Sequence, residues 1–230
     1  MESQSKLIVA LTSQVGRKYL TGITGVLLVI FIIGHLLGNL QLLDSDPERF
    51  NAYAKSLHDF GLLLYIIEIA LAGVILLHAF IGIAIFMRKL KARKHGYKVS
   101  GQKQGGNGKQ SLASRSMIYT GIVLLIFLVV HIAQFRFGPA KETVINNEPA
   151  MDLHALVMET FSNIWWVIFY VGVMVLIGFH LRHGIWSALQ SLGAMKPRWS
   201  KAIHGAALII GLLLAIGFLV LPIIIYVRQV

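Results

Sequence analysis

Apolar residues fall into five long runs along the chain, separated by short polar segments. The runs extend from about Tyr19 to Leu43, Phe60 to Met87, Met117 to Phe135, Ile164 to Leu189 and Ile203 to Val227. A helix needs about 20 apolar residues to cross a hydrocarbon core of ~30 Å. Each run therefore predicts one transmembrane helix, and residues 1–230 together predict an all-α, integral membrane bundle forming a single domain. No stretch remains for a separate soluble domain, and the first run has neither the length nor the cleavage site of a signal peptide.

The polar segments differ in kind. Residues 88–115 are rich in Gly, Gln and Lys and carry no acid, which predicts a mobile basic loop. Asp46 followed by Pro47 is a helix N-cap followed by proline at the first helical position. Phe50, Tyr53, Ala54 and Leu57 then form an apolar stripe, predicting a short helix on the membrane surface. Residues 149–160, with Leu153, Leu156 and Val157, predict a second short helix of that kind.

Charge orients the bundle. With the N-terminus cytoplasmic, 16 of the 21 basic residues fall inside, among them Arg17, Lys18, nine Lys/Arg between Arg88 and Arg115, and Arg182, Lys196, Arg198 and Lys201. Arg49, Lys55, Arg136, Lys141 and Arg228 fall outside, together with eight of the ten acids. The positive-inside rule then gives N-in, C-out, with the short helices on the outer side. The net charge of +11 is mostly this cytoplasmic face, which suits anionic lipid or an acidic protein partner.

Composition narrows the chemistry. Cysteine is absent, which excludes disulfides, thiolate-ligated iron–sulfur clusters and covalently attached haem in this chain. The nine histidines are the remaining strong nitrogen ligands. Four of them sit deep inside four separate spans: His35, His78, His131 and His180. Ionisable groups in an apolar core are costly and usually serve a function. A single one reads most simply as a helix–helix hydrogen bond; four on four helices call for more.

Their depths sort them. His35 lies about 16 residues past the inner end of its span and His131 about 16 past Arg115, which at ~1.5 Å per residue sets both ~24 Å from the inner edge. His78 lies ten residues before Arg88, and His180 ten before Gln190, so both lie ~15 Å from that edge by the same rise. An outer pair, His35 with His131, and an inner pair, His78 with His180, result. Two neutral imidazoles facing each other across a bundle form the bis-histidine site of a b-type haem. Two such sites at two depths form an electron path across the bilayer, with no open iron position. Gly82 and Gly184 follow the inner histidines at i+4 and Gly38 follows His35 at i+3, where a missing side chain admits a flat macrocycle.

The stretches FIIGHLLGN, LLHAFIGIA, VVHIAQFRF and GFHLRHGIWSALQSLG around these histidines resemble the cytochrome b558 membrane anchor of succinate:quinone oxidoreductases, of the single-chain, five-helix, two-haem type found with menaquinone. The resemblance runs from about Gly16 to the end of the chain. It implies that His78 and His180 ligate the haem nearer the soluble subunits, and His35 and His131 the distal one. It also implies two haem b and a menaquinone as cofactors. The implied partners are a flavoprotein that carries the dicarboxylate chemistry and an iron–sulfur subunit, both on the cytoplasmic face of a bacterial plasma membrane. Nucleic acid is not among them; a higher oligomer of the complex stays open. The chain would be the quinone-reactive electron-transfer subunit, working as succinate dehydrogenase or fumarate reductase. Some relatives carry a proton-conducting glutamate two residues before the fourth-helix ligand; Gly178 stands there in this chain.

Further residues carry two readings each. His183 lies one helical turn after His180 and is the alternative ligand, or a neighbour of a haem propionate. Arg17, Lys18, Arg182 and Lys196 are candidate propionate partners, or ordinary headgroup-level cations. Glu68, the one carboxylate inside a span, and His58 and Asp59 at the outer start of the second helix are candidates for quinone binding and proton transfer. A helix–helix hydrogen bond and a wet helix end are the plainer readings. Trp165 and Trp166 fit an interfacial aromatic belt; His95, His154 and His204 fit loop or surface positions. The rival functions are the anchor of a hydrogenase, formate dehydrogenase or nitrate reductase, and a histidine-lined transporter.

Overall fold

The computed structural model describes residues 9–10, 12–92 and 112–229. Helix α1, Gln14–Asn39, starts at Ser13, whose side chain accepts the Gly16 N–H at 3.0 Å, and ends in a 3-10 turn over Leu40–Leu43. Helix α2 is Pro47–His58, helix α3 Leu62–Ala92 and helix α4 Leu112–Phe135. Strands β1, Lys141–Ile145, and β2, Glu148–Asp152, form an antiparallel hairpin. Helix α5, Leu153–Phe161, leads into α6, Ile164–Ser191, and α7, Ser200–Val227. Five of these helices (α1, α3, α4, α6 and α7) are long and apolar enough to span a membrane. Their apolar residues run all round the helix and stay largely uncovered by protein, as Ile69 and Phe80 of α3 do at 73% and 72% exposure. Lipid is the solvent such surfaces require.

Helix α6 is the hub, packing along α7, α4 and α1, while α1 also packs on α3. Small residues permit these close approaches. A Cβ at Gly211 of α7 would stand 3.2 Å from the Arg182 amide nitrogen, and one at Gly22 of α1 would stand 3.3 Å from the Ala188 carbonyl. Gly178 belongs to this set: its Cβ would lie 3.0 Å from that of Ala215 on α7. Gly178 is thus part of the α6–α7 seam. In contrast, α3 and α4 scarcely touch, and the bundle is open between them.

The short helix at Asp46–Pro47 forms as its cap predicts, with the Asp46 carboxylate accepting the Glu48 N–H at 2.9 Å. Phe50 is buried against Leu42, Val157 and Ile225. The second short helix is displaced from the 149–160 expected. Glu148–Asp152 is instead the return strand of the hairpin, and the helix begins at Leu153, where Asp152 caps the Ala155 N–H. Asn146 and Asn147 close the hairpin with φ of 53° and 64°, the left-handed pair that a two-residue turn requires. The bundle is therefore helical with one small β element. The expected loop 88–115 is shorter at both ends, since α3 continues to Ala92 and α4 starts at Leu112. The rest of that segment, with His95, lies outside the described residues.

Candidate functional site

A cavity of about 2880 Å³ opens between α3 and α4 and reaches through the bundle. That is roughly three times the upper end of the 300–1,000 Å³ usual for small-ligand pockets. Its lining is chiefly aliphatic and aromatic, and it includes His35, His78, His131 and His180.

The outer histidines meet directly. The ring centroids of His35 and His131 stand 5.7 Å apart with planes at 88°. Each ring is stacked on a phenylalanine one turn earlier in its own helix: Phe31 on His35 at 5.5 Å, Phe127 on His131 at 5.4 Å. Tyr170 Oη donates to Gln134 Oε1 at 2.6 Å and lies 3.4 Å from His131 Nδ1, while Asn39 Nδ2 donates to the His35 carbonyl at 2.7 Å.

The inner histidines are held differently. His78 Nδ1 stands 3.0 Å from Thr24 Oγ1 of α1, and His180 Nδ1 stands 3.1 Å from Thr120 Oγ1 of α4. Both hydroxyls spend their single proton on their own helix, Thr24 toward the Leu20 carbonyl at 2.8 Å and Thr120 toward the Ser116 carbonyl at 3.1 Å. With the hydroxyl proton on the helix carbonyl, each oxygen accepts from an imidazole that carries its proton on Nδ1. Nε2 of both rings is left with an in-plane lone pair, the form a metal takes. Interhelical hydrogen bonds in a membrane contribute only about 0.6–2 kcal/mol each, so the larger consequence is the choice of tautomer. The two rings lie within electrostatic reach of each other.

The glycines divide into two kinds. A Cβ at Gly82 would meet nothing within 4 Å, and one at Gly184 would meet only Met117 Cε at 4.0 Å; both line the cavity. They leave open the backbone surface that a flat macrocycle beside His78 and His180 would occupy, so donors, cavity and open face together fit a haem. Gly38 has another purpose. A Cβ there would fall 2.6 Å from Tyr53 ring carbons, so its missing side chain seats α2 and not a cofactor.

Of the residues considered for propionates, Lys18 lines the cavity; Arg17, Arg182, Lys196 and His183 do not. Arg182 is exposed, and His183 turns away to pack on Trp186 at 5.6 Å, which leaves His180 as the α6 histidine facing the cavity. His58 and Glu68 line the cavity, whereas Asp59 is tied to Lys55 at 2.8 Å. Glu68 takes both arms of Arg136, at 2.8 Å from Nε and 3.2 Å from Nη2, bridging the outer ends of α3 and α4 where the bundle is open. Trp165 is exposed and Trp166 half-buried against Phe169. His204 is exposed, with Nδ1 at its own Ser200 carbonyl. His154 sits in the outer cap, its backbone N–H donating to Asn51.

Thr24 and Thr120 were not expected from the spans, yet a signal for them exists. TGVLLVIFIIGH over 24–35 matches TGIVLLIFLVVH over 120–131, with Thr, Gly, Leu, Ile, Phe and His identical in register. His35 follows Thr24 by 11 residues, as His131 follows Thr120. The partner helices match too, with HAFIGI from His78 and HLRHGI from His180. The glycine after each threonine admits the ring that the threonine holds. A Cβ at Gly25 would stand 3.4 Å from His78 Cε1, and one at Gly121 3.5 Å from His180 Cε1. Helices α1–α3 and α4–α6 are thus two copies of one histidine-bearing unit, each pair of histidines drawing one member from each copy.

Among the described residues no group of three or more His, Asp or Glu side chains converges as a metal cage. Protein-only sites for transition metals usually need four such ligands; pairs are what a macrocycle requires. Comparison with protein-family models, with curated proteins and with solved structures found no match to this chain.

Proposed function

We propose that this chain is the di-haem cytochrome b membrane anchor of a succinate:quinone oxidoreductase, the subunit that connects an iron–sulfur partner to menaquinone. The observation that carries this reading is the set of four cavity-lining histidines in two pairs, drawn symmetrically from two copies of one unit. His78 and His180 would hold the inner haem and His35 and His131 the outer one. Bound there, a haem b supplies a carrier for one electron at a time.

The chain's own residues have three tasks in this reading. The Nδ1–H bonds of the inner histidines keep Nε2 aimed and unprotonated. The aliphatic walls and the stacked Phe31 and Phe127 keep water from the ligands. Lys18, on the cavity wall, is the cation that would neutralise carboxylates at the inner end. His58 and Glu68, both on the cavity wall toward its outer end, are the groups available to a quinone headgroup and its protons. Gly178, packed on Ala215, is not available for that purpose.

The charge asymmetry supports a cytoplasmic N-terminus in a bacterial plasma membrane, with flavoprotein and iron–sulfur subunits on the basic inner face. The cap built by α2, the hairpin and α5 then lies at the outer surface. The dicarboxylate chemistry belongs to the flavoprotein partner.

The test is to purify the native complex in detergent and record the dithionite-reduced minus oxidised spectrum with a pyridine haemochrome count. Two low-spin b haems per chain, with succinate dehydrogenase subunits in the preparation, are expected. An intact complex without haem would falsify the reading; haem with hydrogenase or formate dehydrogenase subunits would move the chain to another di-haem anchor.

A further inference from the structure

We propose that Thr120 and Thr24 are positioning residues that make the inner ligand pair a stronger electron donor to its metal than the outer pair. This rests on the haem reading above. Three polar residues are buried among those described: Asn51 in the outer cap, and Thr24 and Thr120 within the spans. Both span threonines, each 5% exposed, point at Nδ1 of an inner histidine, and they do so from equivalent places in the two repeats. The arrangement has therefore been built twice.

An acceptor on Nδ1–H draws the imidazole toward imidazolate and raises the basicity of Nε2. A more basic axial ligand favours ferric over ferrous iron and lowers the potential. The outer pair lacks an equivalent. The hydroxyl nearest His131 Nδ1, that of Tyr170, lies at 3.4 Å, and Asn39 Nδ2 reaches the His35 ring nitrogens only at 3.5 Å. Those distances are at the edge of hydrogen bonding. One protein bundle thus gives its two bis-histidine sites different donor strength. His180 is the cleaner case, because the Thr21 carbonyl also faces the His78 ring.

The experiment is potentiometric titration of both haems in the purified native complex, for wild type, Thr120→Val and Thr120→Ser. Valine keeps the shape and removes the acceptor; serine keeps the acceptor and trims a methyl. The expected result is an upward shift of one haem midpoint in Thr120→Val, the other haem unmoved, and return to the wild-type midpoint in Thr120→Ser. If Thr120→Val instead loses the inner haem while Thr120→Ser retains it, the assignment also stands, since a hydrogen bond to the far nitrogen of a ligating histidine typically carries about 10–100-fold in metal affinity. Unchanged midpoints and haem content in Thr120→Val overturn it. So does a serine variant that behaves like the valine one, because packing would then be the cause. Absence of haem from the wild-type complex is a different outcome, and it would remove the haem reading itself.

Discussion

His35 and His131 stand with ring centroids 5.7 Å apart and planes at 88°, each backed by a phenylalanine from its own helix. They come from α1 and α4, the corresponding helices of the two repeats. In the proposed di-haem reading, replacing either one alone, as His35→Ala or His131→Ala, would remove one ligand of the outer pair and none of the inner. The haemochrome count is expected to fall by half in each variant, with the inner haem spectrum unchanged. Loss of both haems from either variant would show that the pairs are not independent.

Gly82 offers a sharper separation of fold from cofactor. No protein atom of another residue lies within 4 Å of the Cβ position there, so Gly82→Leu adds a side chain without a clash at its Cβ. Helicity by circular dichroism is expected to match wild type, while the inner haem is lost. A Gly82→Leu protein that keeps both haems would mean that the macrocycle does not use this face. Gly38→Leu is the converse control: its side chain collides with Tyr53, so α2 is displaced and stability falls.

The Glu68–Arg136 pair clasps α3 to α4 beside the cavity mouth. Removing one partner leaves the other charge uncompensated, whereas removing both leaves none. The Glu68→Gln, Arg136→Met double variant is expected to destabilise the protein in detergent by less than the sum of the two single variants. A coupling of about 0.5–3 kcal/mol is usual for contacting residues. Additive thermal shifts would mean that the pair is fully solvated and holds nothing.

The cap built by α2, the hairpin and α5 is pH-dependent in a predictable direction. Lys55 bonds Asp59 at 2.8 Å and Glu148 of the hairpin at 2.5 Å, and these partners, Asp59 first, raise its pKa above the ordinary lysine value of 10.5. A cation with a raised folded pKa contributes its full stabilisation below the ordinary value, and loses it as pH rises through the raised one. Spin labels at Ser56 and Val144 are expected to hold one narrow distance at neutral pH and to broaden above pH 10.5. Lys55→Met is expected to broaden at neutral pH already. Asp44 has the opposite sign: the Asp46 N–H, and then Arg49, hold its carboxyl below the usual 3.8, so its contribution is lost only in acid below that value.

Much of this molecule could be read along the chain because membrane spans are written locally. A run such as Leu62–Met87 must be helical in hydrocarbon, where no other backbone partner exists, and the Asp46–Pro47 cap starts α2 from its own two residues. The sorting of four histidines into two depths likewise needed only helical rise. The hairpin was not legible in that way. Residues 149–152 were expected to begin a helix, but strand pairing with Lys141–Ile145 and the bond from Lys55 to Glu148 hold the segment as a strand, and both partners are remote from it or on the far side of a turn.

The amino-acid sequence by itself determined five apolar spans, an uneven spread of positive charge between the connecting segments, and histidines at two heights in four of the spans. Tertiary structure decided what surrounds those histidines. It put Thr24 on His78 and Thr120 on His180, gave Gly38 to Tyr53 while leaving Gly82 open, turned His183 away, and left α3 and α4 apart so that the cavity exists. The division has a physical cause. Hydrophobic length and helical rise act within one segment, whereas tautomer, cavity and close approach depend on which helix faces which, and that is settled only when the helices pack.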